Sequence, residues 1–227
     1  SEMCIRDSYY LTSRKEEVAV SKKNMEFLLK KASSLMDIYR KERRNKLNIF
    51  LDEDMHKEGH RRRVLAAPSL GTMSEQLLEK ILKRNAICGN ERKIVLECYT
   101  KQKERLEMIL SHSTVEDEIS EIISEEYEKY PLVLSLAECF LEKDIQLSYD
   151  EYLSGIREAE AYAENHKNYT VHVTQMKGFR NIQITCFEGK WCMVSKNRAP
   201  AIHFVIHHPK LRYALENMTL PIQDGKM

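Results

Sequence analysis

Glycine and proline are scarce, seven and five in 227 residues. So few breakers favour long helices joined by little loop. A charge bias is also missing. Lys and Arg number 36 against 35 Asp and Glu, a formal net charge of +1, which gives no global pull toward nucleic acid or a membrane surface. No run approaches the roughly 18–20 apolar residues of a membrane span, and no basic-then-apolar leader is recognisable. Glycine-rich phosphate cradles, a dinucleotide fingerprint and a GxSxG nucleophile elbow are all missing. The six cysteines, at 4, 88, 98, 139, 186 and 192, form no CxxC pair. Such spacing speaks against a disulfide framework or a zinc ribbon and for free thiols in a reducing cytosol.

What is present is 42% apolar and 31% charged, the balance of a soluble globular protein. The length admits one or two domains. The opening SEMCIRDS resembles a translated sequencing-adapter remnant, so residues 1–12 are read as a non-native or disordered tail outside the fold.

From Ser13 to Lys46 the pattern predicts one helix. Val18, Met25, Ala32 and Tyr39 recur every seven residues, and Leu28 and Leu35 fill the second seam position. Phe27, Leu29 and Met36 widen the stripe. The repeat fits either packing on the chain's own domain or a dimer seam and stalk. Leu47–Leu51 and Val64–Ala67 read as short strands. Between them His56 and His60 have helical metal-pair spacing, but Lys57 stands where a metalloprotease needs glutamate, so a charged loop is the better reading. Thr72 and Glu75 form a capping box that opens a helix carrying Leu77, Leu78, Ile81 and Leu82. After a break at Asn85–Asn90, a second helix buries Ile94, Val95, Cys98, Leu106, Ile109 and Leu110. Thr114 opens a third, with Ile119, Ile122 and Ile123 inward.

Pro131 ends that helical block, and Leu132, Leu134 and Leu136 alternate as in a strand. A second capping box, Ser148 with Glu151, starts a helix with Tyr152, Ile156, Ala159 and Ala163 on its buried side. Tyr169, Val171 and Val173 then alternate with Thr170, His172 and Thr174 in a half-buried strand. Asn181–Phe187 and Lys190–Ser195 form a hairpin about Glu188-Gly189. A two-residue loop sets Cys186 opposite Trp191, Ile184 opposite Met193 and Ile182 opposite Ser195, which keeps Cys186 and Cys192 from bridging; a glycine bulge slips this register by one. Ala201–Ile206 is apolar enough to be central in its sheet. Pro209 suits the first position of a helix with Leu211, Ala214, Leu215 and Met218 inward. The predicted class is α+β, or α/β: a long N-terminal helix, a helical middle, and a mixed sheet with a C-terminal hairpin, a buried strand and a packed terminal helix. Residues 13–46 form the extension and 47–227 one domain.

The pattern nearest to catalysis is His208-Pro209-Lys210. It matches the His-x-Lys of phospholipase D-like phosphodiesterases, in which histidine attacks phosphorus. The aspartate of that motif is replaced by Leu215, and no second copy exists. Histidines 203, 207 and 208 would need a carboxylate, with His56 or His60, to hold zinc. His203 reads better as a sheet-face histidine with a backbone partner. Arg180, Lys196 and Arg198, beside Asn181 and Asn197, form a candidate anion-binding rim near His203. No cofactor is expected.

Five phrases carry a resemblance: LNIFLDEDMH, RRRVLAAPSLGTM, LLEKILKRN, LSYDEYLSGIREAEAYAENHKNYT and FRNIQITCFEGKWCMVSKNRAPAIHFVIHHPKLRYALEN. Together they resemble the C-terminal region of bacterial helix-turn-helix transcriptional regulators, over the chain from about Val18 onward. The resemblance implies a non-enzymatic, cytoplasmic effector or oligomerisation region. Its partners would be a second copy through Val18, Met25, Leu28, Ala32, Leu35 and Tyr39, and an unidentified small-molecule effector. DNA would be met only through an N-terminal domain absent from this sequence. The alternatives are a small-molecule or anion sensor and a hydrolase remnant built on the histidines.

Overall fold

A computed structural model describes residues 17–114, 119–124, 132–134, 136–174 and 181–223. The chain divides into two compact units, residues 1–46 and 47–227.

The first unit is helical from Glu17. Its helix, α1, is Glu17–Asp52 and extends six residues into the second unit. Met25, Leu28, Leu35 and Tyr39 are exposed, Leu28 by 62% and Leu35 by 66%. Local pairs decorate the surface: Lys46 with Glu42 at 2.7 Å, and Arg43 over the Tyr39 ring. Exposed pairs of this kind contribute little, so they do not account for a helix with this much uncovered apolar surface.

The second unit is built on a six-stranded mixed sheet. Its elements are β1 (Arg61–Leu65), α2 (Glu75–Arg84), α3 (Gly89–His112), β2 (Ile119–Ser124), a 3-10 turn at Ala137–Cys139, α4 (Tyr149–Asn165), β3 (Tyr169–Thr174), β4 (Ile182–Phe187), β5 (Trp191–Lys196), β6 (Ile202–Ile206) and α5 (Pro209–Gln223). The strand order is β3-β2-β1-β4-β5-β6. The first three strands are parallel, and β4, β5 and β6 continue antiparallel. This is the α+β architecture that the sequence predicts.

The sheet has two unlike faces. On the inner face lie Arg61 and Arg63, Ile119 and Glu121, Thr185 and Phe187, Trp191 and Met193, and His203. Helices α2, α3 and α4 pack, with the segments that connect them, in the core cluster that includes Ile123 of this face. Leu106 of α3 packs with Ile119 and Tyr169. Leu47, Phe50 and Leu51 of α1 pack on Phe187, Trp191 and Met193. On the outer face Val64, Ile122, Ile184, Cys186 and Cys192 meet Leu215 of α5.

Several sequence expectations are corrected. Leu47–Leu51 is not a strand: α1 runs through it, because the spacing of 47, 50 and 51 puts three apolar side chains on one helical face against the hairpin. Ile119–Ser124 is not a helix but β2, flanked by strands on both sides. Its residues 119–123 are all buried, and a strand covered on both faces needs no alternation. The N-cap of α2 is Ser74 rather than Thr72; its hydroxyl accepts from Leu77 N at 3.2 Å and donates to Glu158. The Ser148–Glu151 capping box forms as expected. Leu132–Leu134 is strand-like as expected: Val133 bridges Gln146, and Leu134 N donates to the Ile145 carbonyl while Leu147 N donates to the Leu132 carbonyl.

The hairpin loop has three residues, Glu188 to Lys190, with Gly189 at φ +73°. That left-handed residue slips the pairing by one. Ile184 faces Val194, Ile182 faces Lys196, and Cys186 faces Cys192 directly. These two cysteines are joined in a disulfide, which overturns their reading as free thiols on opposite sides.

β6 is an edge strand rather than a central one. Ile202 is 44% and Phe204 63% exposed. Apolar composition does not distinguish a covered strand from an uncovered one. The inward stripe of α5 is also rotated. Arg212, Leu215, Glu216 and Thr219 turn inward, while Leu211 and Met218 stay exposed. Glu216 sets this rotation, because its carboxylate accepts from Gly189 N at 2.9 Å and pairs with Arg212.

Candidate functional site

The inner sheet face is unusually polar for a covered surface. Buried polar side chains are costly unless they find partners. At one end His203 Nε2 lies 2.9 Å from the Ala137 carbonyl and Nδ1 lies 2.8 Å from Ser195 Oγ. A carbonyl only accepts, so Nε2 carries the proton and Nδ1 accepts from the Ser195 hydroxyl. Burial lowers the His203 pKa below the ordinary value, and the Ala137 carbonyl and Glu138 offset this only in part. The sheet-face role with a backbone partner is the one observed.

In the middle of the face Glu121 is fully buried, and Arg63 Nη1 donates to its Oε1 at 2.8 Å. Oε2 has no hydrogen-bond partner. The buried Tyr169 hydroxyl is pushed well above the usual tyrosine range, by burial first and by the Glu121 carboxylate second. At the other end Trp191 Nε1 donates to Asp54 Oδ2 at 2.6 Å. Burial alone would raise the Asp54 pKa, but bonds from Lys57 and Trp191 outweigh it and the net shift is downward.

Between these groups and α3 lies a cavity of about 100 Å³. Its apolar wall includes Leu106, Ile109, Ile119, Trp191 and Met193; its polar wall is Asp54, Arg61, Arg63, Gln102, Arg105, Glu138 and Thr185. Every element contributes for a stated reason. β1 alternates, so Arg61 and Arg63 share a face. On α3, Gln102, Arg105, Leu106 and Ile109 follow at three and four residues, one helical stripe.

Arg105 acts as a clamp through three hydrogen bonds. Nε donates to Asp52 Oδ1 at 2.7 Å, Nη1 to Glu138 Oε2 at 3.2 Å and Nη2 to Asn48 Oδ1 at 2.6 Å. Arg61 donates to the carbonyls of Asp54 and Gly59 and lies over the Phe187 ring. Gln102 differs. It is 8% exposed, and its Oε1 accepts no hydrogen bond. Arg63 has one guanidinium N–H taken, by Glu121; among the described residues no other hydrogen bond to it is made. Thr185 accepts from Gln183 at 3.4 Å, which leaves its own O–H to donate.

The predicted anion rim is not assembled. Lys196 lies on the outer face and donates to the Ala199 carbonyl at 3.5 Å, whereas His203 lies on the inner face. Arg198 is drawn to Asp144 at 3.9 Å. Arg180 lies outside the described residues, as does the Val18 side chain of the expected seam. His207 and His208 follow the end of β6; His208 and Lys210 are exposed. His56 sits in a turn near His112, ring centroids 5.9 Å apart. Among the described residues, no three His, Cys, Asp or Glu side chains cluster as metal ligands do. None of the described residues form a helix long and apolar enough to cross a membrane.

Sequence reasoning places Leu106, Ile109 and Ile119 inside the protein but misses the polar wall of the cavity as a site. Gln102 and Arg105 interrupt the apolar stripe of α3, and Arg61-Arg62-Arg63 opens a strand. Polar residues on a stripe that must be buried are the signal that would have marked them. No family model, curated protein or solved structure matches the chain.

Proposed function

We propose that residues 47–227 form a non-catalytic, small-molecule-binding effector region of a cytoplasmic bacterial transcriptional regulator, with α1 as its oligomerisation helix. The observation that carries the reading is the cavity. It joins an apolar wall to polar groups whose hydrogen-bonding capacity the protein leaves unused, the usual make-up of a ligand pocket. The resemblance in sequence supports the regulatory context, and on this reading DNA contact belongs to another unit of the regulator. The exposed seam of α1 supports self-association, because uncovered apolar surface of this extent marks an interaction site.

Sedimentation of the chain and of its Met25→Glu and Leu28→Glu variants tests the helix: a dimer that the substitutions dissociate is expected. A monomer at high concentration, unchanged by either variant, removes the oligomerisation part. A thermal-shift screen of small metabolites against the chain and an Ile109→Trp variant tests the pocket. Stabilisation by at least one compound, lost when the tryptophan fills the cavity, is the expected result. The anion-sensor alternative rests on Arg198. Stabilisation by inorganic phosphate that Arg198→Ala abolishes would favour it instead.

A further inference from the structure

We infer that the cavity takes a small monocarboxylate, held by its carboxylate on Arg63 and the Gln102 amide, with its apolar body against Leu106, Ile109, Ile119 and Met193. The inference rests on the cavity being the ligand site of the proposed function.

Charge comes first. Three arginines and two carboxylates line the cavity. The groups they pair with outside the lining, Lys57 against Asp52 and Glu121, sum to one negative charge, so the positive excess belongs to the lining alone. One negative charge on the ligand matches the excess of the lining residues themselves. Cations and dianions do not.

Hydrogen bonding comes second. A guanidinium is a planar fork of five donors, suited to the two oxygens of a carboxylate. Arg105 donates three hydrogen bonds to the protein and Arg61 donates to three carbonyls, but Arg63 spends one N–H on Glu121. The Gln102 amide, without a hydrogen bond among the described residues, and the Thr185 hydroxyl add donors along the same wall. Glu121 sits beneath Arg63 with no exposure. It holds the guanidinium through Nη1 alone, and Arg63 lines the cavity.

Size comes third. A void near 100 Å³ is smaller than the roughly 150 Å³ cavity that takes up benzene, so it suits a short branched chain, with a single ring as the upper limit. Sugars, nucleotides and long-chain acids are too large. Leu106, Ile109, Ile119 and Met193 present no polar atoms to a second ligand charge, which selects a monocarboxylate over a dicarboxylate or an amino acid.

Titration calorimetry on the full chain tests this, with 3-methylbutyrate and benzoate as probes and 3-methylbutyramide, benzylamine and inorganic phosphate as matched comparisons. At least one carboxylate should bind, and its amide and the amine at least tenfold more weakly. Gln102→Leu should weaken the carboxylate by about tenfold, the loss of roughly one hydrogen bond to a charged group. Ile109→Trp, which leaves the Arg63–Glu121 pair intact, should abolish binding while circular dichroism stays unchanged. Arg63→Gln should abolish binding too, but it strands Glu121, so the folded Gln102 and Ile109 variants decide. Amide or amine binding as tight as the carboxylate, and lost in Ile109→Trp, overturns the carboxylate and leaves the effector reading standing. Carboxylate binding that survives in folded Ile109→Trp overturns the site. Binding of no probe overturns the inference, and failure of the wider metabolite screen is what would take the effector reading with it.

Discussion

Trp191 Nε1 donates a 2.6 Å hydrogen bond to Asp54 Oδ2 across 137 positions of sequence. It fastens the β4–β5 hairpin to the turn that follows α1, and so closes one end of the cavity. Asp54 also binds Lys57, and Arg61 reaches its carbonyl at 2.7 Å.

Replacing Trp191 with Phe keeps most of the ring packing and deletes the donor. The expected cost is ~1–3 kcal/mol, that of a buried hydrogen bond to a charged group, read by urea denaturation at pH 7. Asp54 has its pKa held below 3.8 in the folded protein. Its contribution is present above the ordinary aspartate range and lost as pH falls through the folded value. Trp191→Phe should therefore differ most from wild type at neutral pH and least near pH 3. A constant difference across that range would show that Asp54 is not the partner that matters.

His203 gives the opposite kind of group, a histidine whose folded pKa is lowered from 6.5. Below about pH 6.5 the unfolded chain binds a proton that the folded chain does not, so stability declines as pH falls from there toward the folded value. His203→Gln should flatten the stability profile between pH 7 and 5 while lowering it overall. An unchanged acid slope in that variant would refute the assignment.

The directly opposed Cys186 and Cys192 are bonded, while Cys98 and Cys139 are buried thiols and Cys88 is exposed. Thiol titration of the denatured protein should find two more thiols after reduction than before. Equal counts would mean the pair stays reduced, which is the usual condition of a cytoplasmic protein.

Arg63 and Glu121 form an ion pair with the carboxylate fully buried. Glu121→Leu alone strands the guanidinium and should cost ~3–5 kcal/mol. The double variant Arg63→Met with Glu121→Leu should recover most of that loss, because a well-packed apolar pair does without the desolvation cost. Additive costs in the double variant would argue that the two side chains do not act together. Chemical denaturation of the three variants gives the cycle.

Local chemistry determined much of this protein from sequence alone. The Ser148 capping box, the Pro209 helix start, the alternation of β3 and the existence of the hairpin all follow from bonds and sterics within a few residues. So did the long N-terminal helix and the α+β class. What only the tertiary structure decided lies where distant segments compete for the same residues. Ile119–Ile123 reads as helix or strand equally well until β1 and β3 flank it. Ala201–Ile206 looks central, yet among the described residues no seventh strand covers it. One left-handed residue, Gly189, moved every pair of the hairpin by one and set Cys186 against Cys192. The cavity was the least legible feature. It brings together α1, β1, α3, β2, the 3-10 turn, β4 and β5. No single segment carries the geometry that leaves Arg63 and Gln102 with bonds still to make.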